Sequence, residues 1–401
     1  MPARNTAQSF GTVTRAFHWL TALLILTAIP LGVIANQLPY DTAEALALKA
    51  QLFSVHKTLG VAAFLLGAAR ILWALVERHP APLHPERRGE LTLAGMVHWL
   101  LYISLVVVPL SGWVHHAAVT GFAPILWPFG QGLPFVPQSE AVAQVAGAVH
   151  WVFTKVMAAA ILLHIAGALK HHFIDRDATL RRMLRGVAAP DQPVAGKRRL
   201  APLALALVVY TAGAGIAALL VPQTQTLAAV ALPAEPAAAE AGAWTVEAGT
   251  LAIGVRQMGA EVSGSFAGFI ADIRFDEAAT GGAYGEVTVT VDLASLTLGS
   301  VTKQALEPEF FDVANHPTAV FRAPLLAEGE GYVADGTLTL RGVERPVRLP
   351  FTLTLDGDVA VMRGETTLDR REFGIGQSYG DEASVGFPVV VRVELTARRP
   401  Q

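Results

Sequence analysis

Histidine is the residue type in this chain best suited to chemistry. Twelve are present, against no cysteine at all. Eleven lie at or before His172, and only His316 comes later. Four of them, His18, His56, His150 and His164, sit inside long apolar runs, where a polar side chain is expensive and usually functional. His150 and His164 are fourteen residues apart. That spacing is about 21 Å and close to four turns of α-helix, so both leave nearly one face. Two imidazoles that face each other across a helical bundle can hold a haem iron from both sides. The missing thiol excludes disulfides, thiolate clusters, Cys-bound zinc and covalent c-type haem, so such a haem would be noncovalent and b-type.

The elements that must position these residues are membrane helices. A span needs about 20 mostly apolar residues. Five stretches qualify: Phe17–Ala35, Phe53–Leu75, Gly95–Val114, Ala146–Leu169 and Leu200–Val221. The first reads as a retained span rather than a cleaved leader, because His18 lies in it at a depth matched elsewhere. Arg4 and Arg15, then Arg78, Arg87 and Arg88, then the run from Lys170 to Arg199 all fall on one side. The positive-inside rule makes that side cytoplasmic, with everything after Val221 outside. Depth then pairs His18 with His164 on the inner level and His56 with His150 on the outer level. Two stacked haems would carry electrons across the bilayer.

Other polar groups in the front half have blander readings. His98, His115 and His116 are expected at the water boundary or beside the haem ligands. His79, His84, His171 and His172 are expected to be solvated in charged loops. Lys155, about a turn and a half from His150, is a candidate to bind a haem propionate or a quinone. Arg70 could do the same or snorkel to the interface.

The motifs "FHWLTALLIL" (Phe17–Leu26), "HKTLGVAAFLLGAARILW" (His56–Trp73), "VHWLLYISLVVVPLSGW" (Val97–Trp113) and "HHFIDRDATLRRM" (His171–Met183) resemble the prokaryotic cytochrome b561 family. The resemblance implies a four-helix membrane cytochrome with two haems b, ligated by His18, His56, His150 and His164. It also implies electron exchange with ubiquinone. Some members resemble superoxide oxidases, and similar cytochromes serve dehydrogenases as quinone-reducing subunits.

The rear half has a different composition. Residues 1–242 carry a net charge of +6 and the remainder −9. That balance has no strongly basic face, so nucleic acid is not an expected partner. Pro222–Gly242 is Ala/Pro-rich and reads as an extended linker. From Trp244 short alternating runs begin, such as "EVTVTVDL" (Glu286–Leu293), which puts Val287, Val289 and Val291 on one face. Many short strands with Gly-rich turns predict an antiparallel barrel or sandwich of about eight strands, the size that just encloses one small ligand. The runs "PEFFDVANHPTAVFRA" (Pro308–Ala323), "GTLTLRGVERPVRLPF" (Gly336–Phe351) and "RREFGIG" (Arg370–Gly376) resemble the YceI-like family. This resemblance implies a lipocalin-like barrel that holds an isoprenoid chain. Phe310, Phe311 and Phe321 are candidate lining residues. His316, before a proline, reads as a turn residue rather than a catalyst.

The expected fold is thus multi-domain: an all-α transmembrane four-helix bundle with a fifth anchoring helix, then an all-β antiparallel barrel. The expected divisions are a di-haem domain over 10–186, a fifth span over 200–221, a linker over 222–243 and a barrel over 244–398. The leading functional expectation is a quinone-linked oxidoreductase of the bacterial inner membrane with a periplasmic barrel. It would pass electrons between a periplasmic one-electron donor, a redox protein or superoxide, and ubiquinone, while the barrel binds an isoprenoid or the quinone. The alternatives are a periplasmic isoprenoid carrier anchored by a cytochrome, or the cytochrome subunit of a separate dehydrogenase.

Overall fold

The computed structural model describes residues 2–119, 123–126, 130–188, 200–221, 243–278, 282–299, 301–329 and 331–399. The chain divides into two compact units, one largely helical and one built on strands. The expected linker, apart from Ala243, lies outside the described residues.

The helical unit contains α1 (Thr12–Gln37), α2 (Ala43–Val76), α3 (Arg88–Ala117), α4 (Glu140–Phe173), α5 (Thr179–Arg185) and α6 (Ala201–Leu220). Among the described residues five helices, α1 to α4 and α6, are long and apolar enough to cross a membrane. This is a multi-pass membrane protein. The helices run past the apolar stretches read from sequence: α2 and α4 have 34 residues each. At 1.5 Å per residue that is about 51 Å, well beyond a hydrocarbon core of about 30 Å. Ser139 caps α4, its side chain accepting the Val142 N–H. α3 packs closely on α4 and α6 packs on both, while α1 and α2 each bring a histidine ring against α4.

α6 is more than the plain tether its composition suggests. Ala206 is fully buried, and the Tyr210 ring stacks on Phe153 with centroids 4.7 Å apart. The Tyr210 hydroxyl lies 2.6 Å from Ser104 Oγ and donates to the Leu100 carbonyl at 3.1 Å. A phenol in an apolar helix needs such partners, because an unmade hydrogen bond in hydrocarbon is costly. Tyr210→Phe is expected to destabilise the bundle by about 1 kcal/mol, read as a shift in its unfolding in detergent.

The strands are β1 (Ala243–Gln257), β2 (Ala260–Phe266), β3 (Phe269–Phe275), β4 (Ala283–Asp292), β5 (Leu296–Thr297), β6 (Thr318–Glu328), β7 (Gly331–Leu340), β8 (Val343–Asp356), β9 (Val359–Asp369) and β10 (Val385–Arg398). All pairings are antiparallel. β1, β3, β4, β6, β7, β8, β9 and β10 form an eight-stranded ring closed by β10 on β1, and β2 with β5 continues from β1. Alternation sets the inner face: Val287, Val289 and Val291 of β4, Leu349, Phe351 and Leu353 of β8, and Val389, Val391 and Val393 of β10 all point inward.

Arg370, in the short 3-10 turn after β9, is 3% exposed. Its guanidinium donates to the carbonyls of Gly386, Ile375, Gly376, Tyr379 and Val385 at 2.6–3.0 Å. This explains the "RREFGIG" run: the arginine ties two loop segments and the start of β10 together.

Candidate functional site

The bundle brings the four singled-out histidines together in two pairs. His18 of α1 faces His164 of α4 with ring centroids 5.9 Å apart, and His56 of α2 faces His150 of α4 at 6.2 Å. A metal–imidazole bond is about 2.0–2.1 Å and a ring centre lies about 1 Å behind its nitrogen, so two rings on opposite sides of one metal have centroids about 6 Å apart. Both pairs have that spacing.

The surroundings of the His56–His150 pair are built for ligation. The Nδ1 of His56 lies 2.8 Å from the Ala28 carbonyl of α1, and the Nδ1 of His150 lies 2.8 Å from the Val108 carbonyl of α3. An Nδ1–H given to a backbone carbonyl fixes the tautomer and leaves Nε2 as the metal-binding lone pair. Glycines make the room. A Cβ on Gly32 would come 2.7 Å from the His56 ring, and one on Gly112 would come 2.9 Å from the His150 ring. Each glycine follows its accepting carbonyl by four residues, so one helical face supplies both the acceptor and the space. Trp113, next to Gly112, buries an indole N–H that has no hydrogen-bond partner among the described residues. A polar ligand in this region would satisfy it. The residues present therefore fit a haem.

The other pair is less enclosed. Arg70 Nη2 lies 3.3 Å from His18 Nδ1, and its guanidinium sits 5.5 Å over the Tyr102 ring. His98, expected at the water boundary or beside the haem ligands, comes within 5.1 Å of His164. α3 begins at Arg88 and α4 continues to Phe173, so the levels of these two histidines overlap. His115 Nδ1 lies 2.7 Å from the Ala143 carbonyl, and His116 is its neighbour at 4.7 Å.

Among the cations, Lys155 is exposed, with its ammonium 5.3 Å over the Trp151 ring. The buried lysine is Lys57, 7% exposed and adjacent in sequence to His56, with Nζ 3.5 Å from Gln131 Oε1. Composition gave no sign of this, because Lys57 sits at the start of an apolar run. Beyond the end of α4, hydrogen bonds from Lys170 and Arg87 hold the Asp175 carboxyl down at about 2, far below its ordinary range.

In the strand unit the ring encloses an apolar cavity of about 290 Å³. Phe310, Phe311 and Phe321 all line it. Its few polar neighbours include Gln257, Gln304 and Thr366. Arg370 also borders it, but its guanidinium is taken up by backbone carbonyls, so the lining suits a hydrocarbon ligand. His316 sits in a turn, its backbone N–H donating to the Asp312 carbonyl at 2.8 Å.

Residues 9–186 match the family described as prokaryotic cytochrome b561, and residues 244–397 match the YceI-like domain. "Cytochrome b561 homolog 2" of Escherichia coli is 31% identical over 195 residues, 48% of this chain and 100% of the relative. The "Probable superoxide oxidase CybB" of Yersinia pestis is 28% identical, over 44% of this chain and 96% of the relative. A UPF0312 protein of Pectobacterium carotovorum is 30% identical, over 33% of this chain and 71% of the relative. Each of these relatives covers less than half of this chain. The protein is a membrane cytochrome of the prokaryotic cytochrome b561 family, fused to a YceI-like barrel.

Proposed function

We propose that this protein binds two noncovalent haems b, one between His18 and His164 and one between His56 and His150. It would move electrons between a periplasmic one-electron donor and ubiquinone. The observation that carries this reading is the two histidine pairs at metal-bridging distance along one helix, α4. Each haem supplies reversible one-electron chemistry at its iron. The protein holds the His56 and His150 imidazoles by backbone carbonyls, leaves space beside them at Gly32 and Gly112, and surrounds them with apolar helix faces. The basic segments at Arg78–Arg88 and Lys170–Arg199 support a cytoplasmic placement of the His18–His164 end, with the barrel periplasmic. Superoxide is the donor we favour, on the relationship to a protein named for oxidising it. Lys155, exposed beside Trp151, is assigned to a quinone headgroup arriving from the lipid.

The test is reduction of the purified haem protein by enzymatically generated superoxide, followed by reoxidation with a short-chain ubiquinone. Haem reduction that superoxide dismutase abolishes is the expected result. Haem that superoxide leaves oxidised rules out this donor. Lys155→Met is expected to slow the quinone step while leaving haem content unchanged.

The ligand site has its own prediction. Gly112→Leu is expected to lower the haem content to about one per chain, because a side chain there occupies the space of the His150 ring. A pyridine-haemochrome assay reads it.

The barrel is proposed to hold an isoprenoid, the quinone or a related lipid, on the strength of its apolar lining. Solvent extraction and mass spectrometry of residues 243–401 produced separately should return one prenyl lipid. A barrel consistently recovered empty argues against it.

A further inference from the structure

We propose that His84, His171 and Asp177 bind a divalent transition metal ion, with Zn²⁺ as the natural occupant. The site lies beside the α2–α3 connection, the last turn of α4 and the turn before α5, with His171 seven residues beyond His164 on α4. From sequence these histidines are expected to be solvated. Their side chains are instead only 29% and 25% exposed, and Asp177 is 11% exposed.

Both imidazoles converge on one carboxylate oxygen. His84 Nε2 lies 3.1 Å from Asp177 Oδ2, and His171 Nδ1 lies 2.7 Å from the same atom. The two rings are stacked, 10° from parallel with centroids 6.3 Å apart. The three ligand atoms all lie within 4.8 Å of one another. Ligands around a tetrahedral metal with bonds of about 2.0–2.1 Å are about 3.3 Å apart, so the two contacts to Asp177 need to open by only a few tenths of an ångström.

The donor set selects the ion. Two neutral imidazoles and one carboxylate suit Zn²⁺ and the later first-row metals, and not Mg²⁺ or Ca²⁺, which require mostly oxygen. Outer contacts orient the ligands as such sites require. Asp177 Oδ1 accepts the Thr179 backbone N–H at 2.8 Å, which fixes the carboxylate and leaves Oδ2 for the ion. Glu86 Oε1 lies 3.5 Å from His84 Nδ1, on the far side of that ring.

The charges nearby permit a cation. Asp175 Oδ2 is 3.2 Å from His171 Nδ1. Lys170 and Arg87 are directed at Asp175, at 3.0 and 2.9 Å, and at Glu90 rather than at Asp177. Arg182 supplies an opposing charge, and it donates to the Ala81 carbonyl. An ion here would pin the α2–α3 connection to the end of α4, two segments some 90 residues apart in sequence.

The test uses the haem-loaded full-length protein, stripped with a chelator and then dialysed against micromolar Zn²⁺. Elemental analysis is expected to return one zinc per chain, with zinc K-edge absorption showing imidazole scattering. His84→Gln and Asp177→Asn should weaken binding about tenfold or more. His172→Gln, at the exposed neighbour of His171, should leave it unchanged. Haem content reports whether each variant has folded. Wild-type protein that retains no stoichiometric zinc overturns the proposal, as does zinc without imidazole scattering. Equal binding by folded wild type and folded His84→Gln overturns it too. The wild-type measurements stand even where a variant misfolds.

Discussion

His150→Ala is expected to yield a protein that carries one haem in place of two, with the remaining haem spectrally normal. The ligand set at that end is two imidazoles, each fixed through Nδ1 to a backbone carbonyl. Removing one would leave that haem held by His56 alone from this pair. The other pair makes a sharper test. His98 lies 5.1 Å from His164, nearer than His18 at 5.9 Å. If His18 is the ligand, His18→Ala removes the second haem and His98→Ala retains both. The opposite result would transfer the role to His98 and break the proposed α1–α4 pairing. Pyridine haemochrome against protein concentration decides this, and His150→Ala combined with His164→Ala should leave no haem.

Arg370→Met is expected to cost the barrel about 4–6 kcal/mol, enough to unfold many domains whose total stability is about 5–15 kcal/mol. The buried guanidinium satisfies five carbonyls. Methionine restores the volume and none of the donors, so those carbonyls stay buried without partners. Arg370→Lys should recover only part of the loss, because an ammonium has three donors and no planar fork. Trp244, 5% exposed, is the sole tryptophan after residue 243, so its fluorescence in residues 243–401 follows unfolding directly. An unchanged urea midpoint in Arg370→Met would mean that the surrounding turns hold themselves in place.

The two levels of the bundle were legible because apolar runs fix depth and a fourteen-residue interval fixes a face. What the sequence could not convey was rotation about each helix axis. Ala28 and Gly32, or Val108 and Gly112, look like ordinary residues in apolar runs until α4 is seen to place an imidazole against them. A glycine two or three residues after an in-helix proline was the available signal: Pro30 and Pro109 stand inside α1 and α3. His84, His171 and Asp177 were illegible for a related reason. Polar loop residues read as solvated unless the topology that joins distant loops is known. Strand alternation placed Val287, Val289 and Val291 on one face, and in the ring that face is the cavity. Tyr210 was a visible polar group in α6, but its partners on α3 come only from packing.

The closing seam of the barrel joins its first strand to its last, with Thr245 opposite Arg398. These partners are about 150 residues apart, and such distant pairings form late. While the chain is being delivered, the growing sheet therefore has an open flank and an oily concave face with nothing across it. The barrel exists as a container only once β10 has arrived. Until then it is a sticky half-pipe, and a prenyl lipid lying in it would act as a temporary wall. A lipid taken up at that stage would be enclosed by the arrival of β10 and would need no passage through the finished wall.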